Sequence, residues 1–144
     1  MPAPAPAPPG RRLVIEPIAD AYVPGVCNIG PWEVRRRMVG GIAGLAVAAA
    51  ILVVLVAAGA APITRAIVLV PVWGGSFSVL QARRRFCGAF AMQRISNFGD
   101  STEARRSVED EAAHRADMAA LARLTRDSFL IAIAIAAVSV VLTI

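Results

Sequence analysis

The 144-residue chain is 57% hydrophobic and 17% charged, more than three apolar residues per charged one where soluble domains sit nearer two. That balance, at this length, excludes a multidomain chain built on ordinary water-soluble cores and points to a membrane protein. All fifteen basic residues are Arg, against ten acids, for a net charge of +5; with no recognisable motif or basic-aromatic groove beside them, nucleic acid is not expected as a partner.

Met1 to Gly10 alternates Pro and Ala and reads as an extended polyproline-type tail. It is not expected to act as a signal peptide, because the long apolar run begins only at Met38. Pro17 and Pro24 break the mixed stretch from Leu13 to Val26, so residues 1–26 are expected as a disordered tail and a surface segment. At Asn28-Ile29-Gly30-Pro31 a helix is expected to start, since Pro31 lacks only an N–H that the first turn leaves unused and Glu33 complements the helix dipole. Met38 to Ala61 carries no charge over 24 residues, about 36 Å of helix against roughly 30 Å of hydrocarbon. Pro62 is expected to end this span. A second run, Ile63 to Ala82, holds only Arg65, placed where it can snorkel to water. Residues 27–99 thus predict a transmembrane helical hairpin with spans at about 38–61 and 63–82, and Pro71, Gly74 and Gly75 mark a kink or close contact within it.

Beyond the Arg83-Arg84-Arg85 triplet, Asn97-Phe98-Gly99 predicts a turn, and Asp100 with Glu103 reads as a capping-box-like start. Residues 100–127 then predict a charged cytoplasmic helix with a weak stripe at Ala104, Val108, Ala112, Met118, Leu121 and Ala122, lying on lipid, on the hairpin or on a partner helix. Residues 128–144 are uncharged; at about 25 Å they are short for a span, yet they lack the polar face an interfacial helix needs. A third transmembrane helix is favoured. The fold class is therefore an all-α membrane protein: a transmembrane hairpin, an amphipathic helix and a third span.

Fourteen of the fifteen Arg fall in residues 1–37 and 82–127, and the triplets Arg35 to Arg37 and Arg83 to Arg85 act as topology determinants at the two inner ends of the hairpin. The expectation is a multi-pass membrane protein with a cytoplasmic N-terminus. Trp32, Phe86 and Phe90 are expected near the headgroups, and Trp73 against a neighbouring helix.

Gly40, Gly44 and Ala48 form a small face that could meet Gly74 and Gly75 within the hairpin, in preference to a dimer interface. Homo-oligomerisation stays open. Cys27 and Cys87 flank the hairpin; two sulfurs cannot complete a four-ligand zinc site, which leaves incidental thiols or a thiol pair for sulfur or redox transfer, with Arg84 and Arg85 favouring the Cys87 thiolate. Glu111 and His114 have a di-metal spacing without the further carboxylates such a site needs; Asp110, His114 and Met118 share a face, where an exposed ion pair is the simpler expectation. Neither a Gly-rich phosphate loop nor a nucleophilic triad is present. No catalytic, cofactor-binding or metal residue is assigned.

Cys27-Asn28-Ile29-Gly30, Arg35 to Arg37, Gly40 or Gly41, the helical pair and Phe86-Cys87 together resemble the YgaP-like inner-membrane domain family over residues 27–99. The resemblance implies a two-helix membrane module of the kind found alone or fused to rhodanese sulfurtransferases. The chain departs from it at Gly88, where Pro often follows the second Cys, and in its added C-terminal helices. The expected function is a structural or accessory membrane subunit without catalysis, docking a protein partner through residues 100–127; the alternative is a membrane-surface thiol protein using Cys27 and Cys87.

Overall fold

The computed structural model describes residues 21–141; most of the Pro/Ala-rich tail and the last three residues of the third apolar block lie outside them. Four helices, α1 (Pro31–Ala57), α2 (Leu69–Arg83), α3 (Gly88–Met92) and α4 (Glu111–Val141), are joined by 3-10 turns and one short antiparallel ladder, β1 (Ile95–Asn97) with β2 (Arg105–Ser107). The protein is mostly helical and not purely so. Three helical stretches, Pro31–Ala57, Pro62–Arg83 and Glu111–Val141, are long and apolar enough to cross a membrane.

Pro31 opens α1 as its sequence predicts. The end differs. Pro62 does not stop the helix; Gly59 does so first, at a positive φ of 65°. There Ala60 N–H donates to Leu55 C=O at 2.9 Å and Gly59 N–H to Val56 C=O at 3.0 Å, the reverse turn that satisfies a helix's last carbonyls. Pro62–Val68 then winds as a 3-10 segment that leads into α2. Pro71 consequently sits in the first turn of α2, where a missing N–H costs nothing, and kinks no helix interior.

α1 and α2 run along each other in opposite directions. Ser78 Oγ donates to Arg37 C=O at 2.9 Å, Gly41 lies against Val79 and Gly75, and Ala48 joins Val68, Val72 and Ala132 in a buried cluster. The packing glycines are Gly41, Gly44 and Gly75. A side-chain carbon on Gly41 would lie 2.8 Å from Val79 N and 2.9 Å from Gly75 O, and one on Gly75 2.9 Å from Leu45 N, whereas Gly40 and Gly74 face nothing within 4 Å. Of the expected contact residues Gly44, Ala48 and Gly75 do pack, whereas Gly41 takes the place of Gly40 and Gly74 points away. With 3.6 residues per turn, a strict four-residue step from Gly40 drifts around the helix, while Gly41, Gly44 and Ala48 keep to one side.

The helix expected from Asp100 begins instead at Glu111. Asp110 is its cap, its carboxylate accepting from Ala112 N–H at 3.1 Å and Ala113 N–H at 3.2 Å. Residues 105–107 are drawn into β2, pairing Ile95 with Ser107 and Asn97 with Arg105. The ladder overrides the local helix preference of Glu103 to Arg106. From Glu111 one helix runs without a break through Asp127 and Ser128 to Val141, so the charged helix and the short apolar block are a single element. Its buried face is Ala113, Asp117, Ala120, Leu124, Ser128, Ala132, Ala136 and Ser139, spaced by threes and fours throughout. Met118, Ala112 and Ala122 from the expected stripe are exposed; Val108 is buried, and it precedes the helix.

Trp73 of α2 meets Phe129 of α4 edge-on, the ring centroids 6.1 Å apart, which is the neighbouring-helix contact its position predicts. Arg65 does not snorkel outward: it is buried and donates to Ala60 C=O at 3.4 Å. Val39, Ile42, Val47, Val53, Ile67, Val70, Leu130 and Val138 remain exposed around the three long helices, a belt of large apolar side chains that none of the described residues covers.

Candidate functional site: the cap that carries the thiols

The start of α1, the end of α2, α3, the ladder and the first turns of α4 come together at one end of the bundle. Both cysteines lie in this cap. Val23-Pro24-Gly25-Val26 forms a tight turn, with Gly25 at a φ of 69° and Val26 N–H donating to Val23 C=O at 3.0 Å; Pro followed by Gly suits its second and third positions. Val23 and Cys27 then exchange two backbone hydrogen bonds of 3.0 Å. The turn docks on α4 through Asp117, which is 1% exposed and accepts from Tyr22 O–H at 2.9 Å and Gly25 N–H at 2.7 Å. Burial and the Asp117 carboxylate together push the Tyr22 phenol up from its usual range.

Asn28 organises the cap, a role beyond the helix start and the Cys27-Asn28-Ile29-Gly30 motif in which the sequence places it. It is fully buried. Its side chain clasps the Cys87 backbone twice, Nδ2 donating to Cys87 C=O at 3.0 Å and Oδ1 accepting from Cys87 N–H at 2.6 Å. Its own N–H donates to Arg85 C=O at 3.1 Å, its C=O accepts from Asn97 N–H at 2.9 Å, and Gly30 N–H donates to Asn97 C=O at 2.8 Å. One side chain and three backbone contacts thus join residues 28–30, 85–87 and 95–97. Gly30 is obligatory in this arrangement, because any side-chain carbon would come within 2.5 Å of Phe98 O. The sequence carries no local signal of this role, because the burial that obliges an amide to be met by partners arises only when three distant segments come together.

The cysteines are free and separately engaged. Cys27 Sγ donates to Ala21 C=O at 3.2 Å and is partly exposed. Cys87 has no solvent exposure; its sulfur caps α3, accepting from Phe90 N–H at 3.4 Å, and packs with Ile29 and Phe90. Burial raises the Cys87 thiol above its ordinary pKa, outweighing the Phe90 N–H and Arg37, which act the other way. This corrects the expected thiolate: burial dominates, Arg84 is drawn to Asp127 at 2.7 Å, and the cation that acts on the thiol is Arg37. Phe86 and Phe90 are core residues of the cap and not headgroup anchors, whereas Trp32 is exposed.

His114 forms no ion pair with Asp110, whose carboxylate caps α4, and Glu111 pairs with Arg94 at 2.8 Å. Among the described residues no group of three or more His, Cys, Asp and Glu is placed to hold a metal ion. No family model matches the chain, and neither does any curated protein or solved structure.

Proposed function

We propose that the chain is a three-span protein of the bacterial inner membrane, with its N-terminus and its cap on the cytoplasmic side, acting as a structural or accessory subunit without catalysis of its own. The observation that carries this reading is the division of the molecule: an exposed apolar belt on three long helices, and at one end a cap into which the Arg triplets, the buried amide of Asn28 and most of the long-range side-chain hydrogen bonds are gathered. Arg clusters beside span ends favour the cytoplasmic side. Within this reading residues 27–99 are a module of the YgaP-like kind, extended by a third span. A protein partner would meet the outward face of α4 at Arg115, Met118, Ala122 and Arg126, because the opposite face is taken up by the chain's own α2 and cap.

The competing use of Cys27 and Cys87 as a sulfur- or electron-carrying pair receives no support from a buried, protonated Cys87. Complementation of a deletion strain by the doubly substituted Cys27→Ser/Cys87→Ser protein separates the two. Full rescue by a protein extracted from membranes only with detergent supports the structural reading, and failed rescue by a normally inserted, folded variant overturns it.

A further inference from the structure

A second feature of the cap lies apart from the thiols. Glu33, Arg36 and Arg37 of α1, Ser78 of α2, Phe90 of α3 and Arg105 of β2 line a polar pocket of about 260 Å³, just below the roughly 300 Å³ at which pockets for drug-sized ligands begin. Three Arg and one carboxylate line it, the Arg36 guanidinium also lying over the Trp32 ring at 5.7 Å. Among the described residues Glu33, 4% exposed, pairs with Arg37 alone, at 3.4 Å, longer than the 2.7–2.9 Å of a well-formed charge-assisted bond. Elsewhere in the cap the pairs are tight, Arg84 with Asp127 at 2.7 Å and Arg94 with Glu111 at 2.8 Å. Arg36 and Arg105 pair with no carboxylate among the described residues, and Arg37 Nε is buried without a hydrogen-bond partner. The Phe90 ring holds the arrangement, with Arg37 and Arg105 stacked at 5.8 and 5.4 Å from its centroid. Excess positive charge, preset geometry and an unused buried donor fit an anion with several acceptor oxygens. Its position selects among anions, for the uncharged run of α1 begins at Met38, directly after Arg37. The pocket therefore opens at the level where lipid phosphates lie.

We propose that this pocket binds the phosphate of an anionic phospholipid headgroup, held by Arg36, Arg37 and Arg105. The proposal rests on the membrane reading above, and basic pockets between spans on the cytoplasmic side are places where such headgroups bind. The test is native mass spectrometry of the detergent-purified full chain, offered phosphatidylglycerol or phosphatidylcholine, with inorganic phosphate as competitor. Phosphatidylglycerol should be retained over phosphatidylcholine, and Arg36→Gln/Arg105→Gln should lower its retention at least about tenfold, each surface Arg contributing about 1 kcal/mol. Arg35→Gln/Arg83→Gln, which removes the same charge from exposed positions on the same boundary, should leave it unchanged. Arg105→Gln alone, on an exposed strand, should lose several-fold and guards against a misfolded double variant. Equal losses in the two double variants, no preference between the lipids, or displacement by inorganic phosphate would each overturn the proposal. A chain recovered in the soluble fraction would instead overturn the membrane reading, so the two failures are distinguishable.

Discussion

The cap and the bundle are held together by opposite means. In the bundle, α1 and α2 approach because Gly41 and Gly75 leave backbone against backbone, and nearly all other contacts are between apolar side chains. In the cap, the buried amide of Asn28, the buried carboxylate of Asp117 and a few backbone groups do the joining, and the apolar residues Ile29, Phe86 and Phe90 fill the space around them. The difference follows from the surroundings. Lipid offers no hydrophobic drive to bring helices together, so close packing of small residues must serve. At the polar end every desolvated amide needs a partner, and the chain is committed to one arrangement wherever those partners come from distant segments.

The comparison is most easily broken at Asn28. Asn28→Ala removes both side-chain bonds and leaves the Cys87 N–H buried without its partner, a loss of about 3 kcal/mol; thermal unfolding in detergent should show an early loss of the cap, and an unchanged midpoint would refute its organising role. Next is the bundle. Gly75→Ala and Gly41→Ala should each cost ~1–3 kcal/mol, because the new carbon meets backbone that cannot yield, while Gly74→Ala and Gly40→Ala should stay within about 0.5 kcal/mol. Equal effects at both pairs would show that the register of the contact is wrong.

Thiol chemistry gives a subtler contrast inside the cap. In single-cysteine proteins a maleimide should label Cys27 readily and Cys87 only as the cap opens; equal rates would contradict the burial of Cys87. Folding lifts the Cys87 pKa, so its contribution to stability is present in full below the unfolded thiol pKa of about 8.5 and is lost as pH climbs through the higher folded value. A Cys87→Ser chain should show a flatter alkaline limb. The smallest effect is expected at Arg85, whose left-handed backbone suits Gly better: Arg85→Gly should be neutral or stabilising by under about 1 kcal/mol, and a clear loss of stability would mean that its side chain contributes.

The bundle was largely legible in the sequence and the cap was not. Unbroken apolar runs and Arg triplets are strong, local signals, and they locate the first two helical stretches long and apolar enough to cross a membrane to within a turn or two. Where the reading went astray, a local signal was outweighed by a distant one. Asp100 and Glu103 resemble a helix start, yet Arg105 to Ser107 pair with β1, whose Asn97 is itself bonded to Asn28 and Gly30, so the helix waits for the cap at Asp110. Gly59 lies inside an uncharged run that also holds Gly40, Gly41 and Gly44, and its positive φ is what marks it as the one that ends the helix. The joining of charged and apolar halves in α4 was visible in principle, since no Pro or Gly separates Glu111 from Val141.

All of this depends on a cap on one side of a membrane crossed three times. The most direct test places one topology reporter at Gly99, in the cap, and another after Ile144. Opposite sides, with Gly99 facing the cytoplasm, is the result predicted; both reporters on the same side would contradict the third crossing and with it the division of the molecule into cap and bundle.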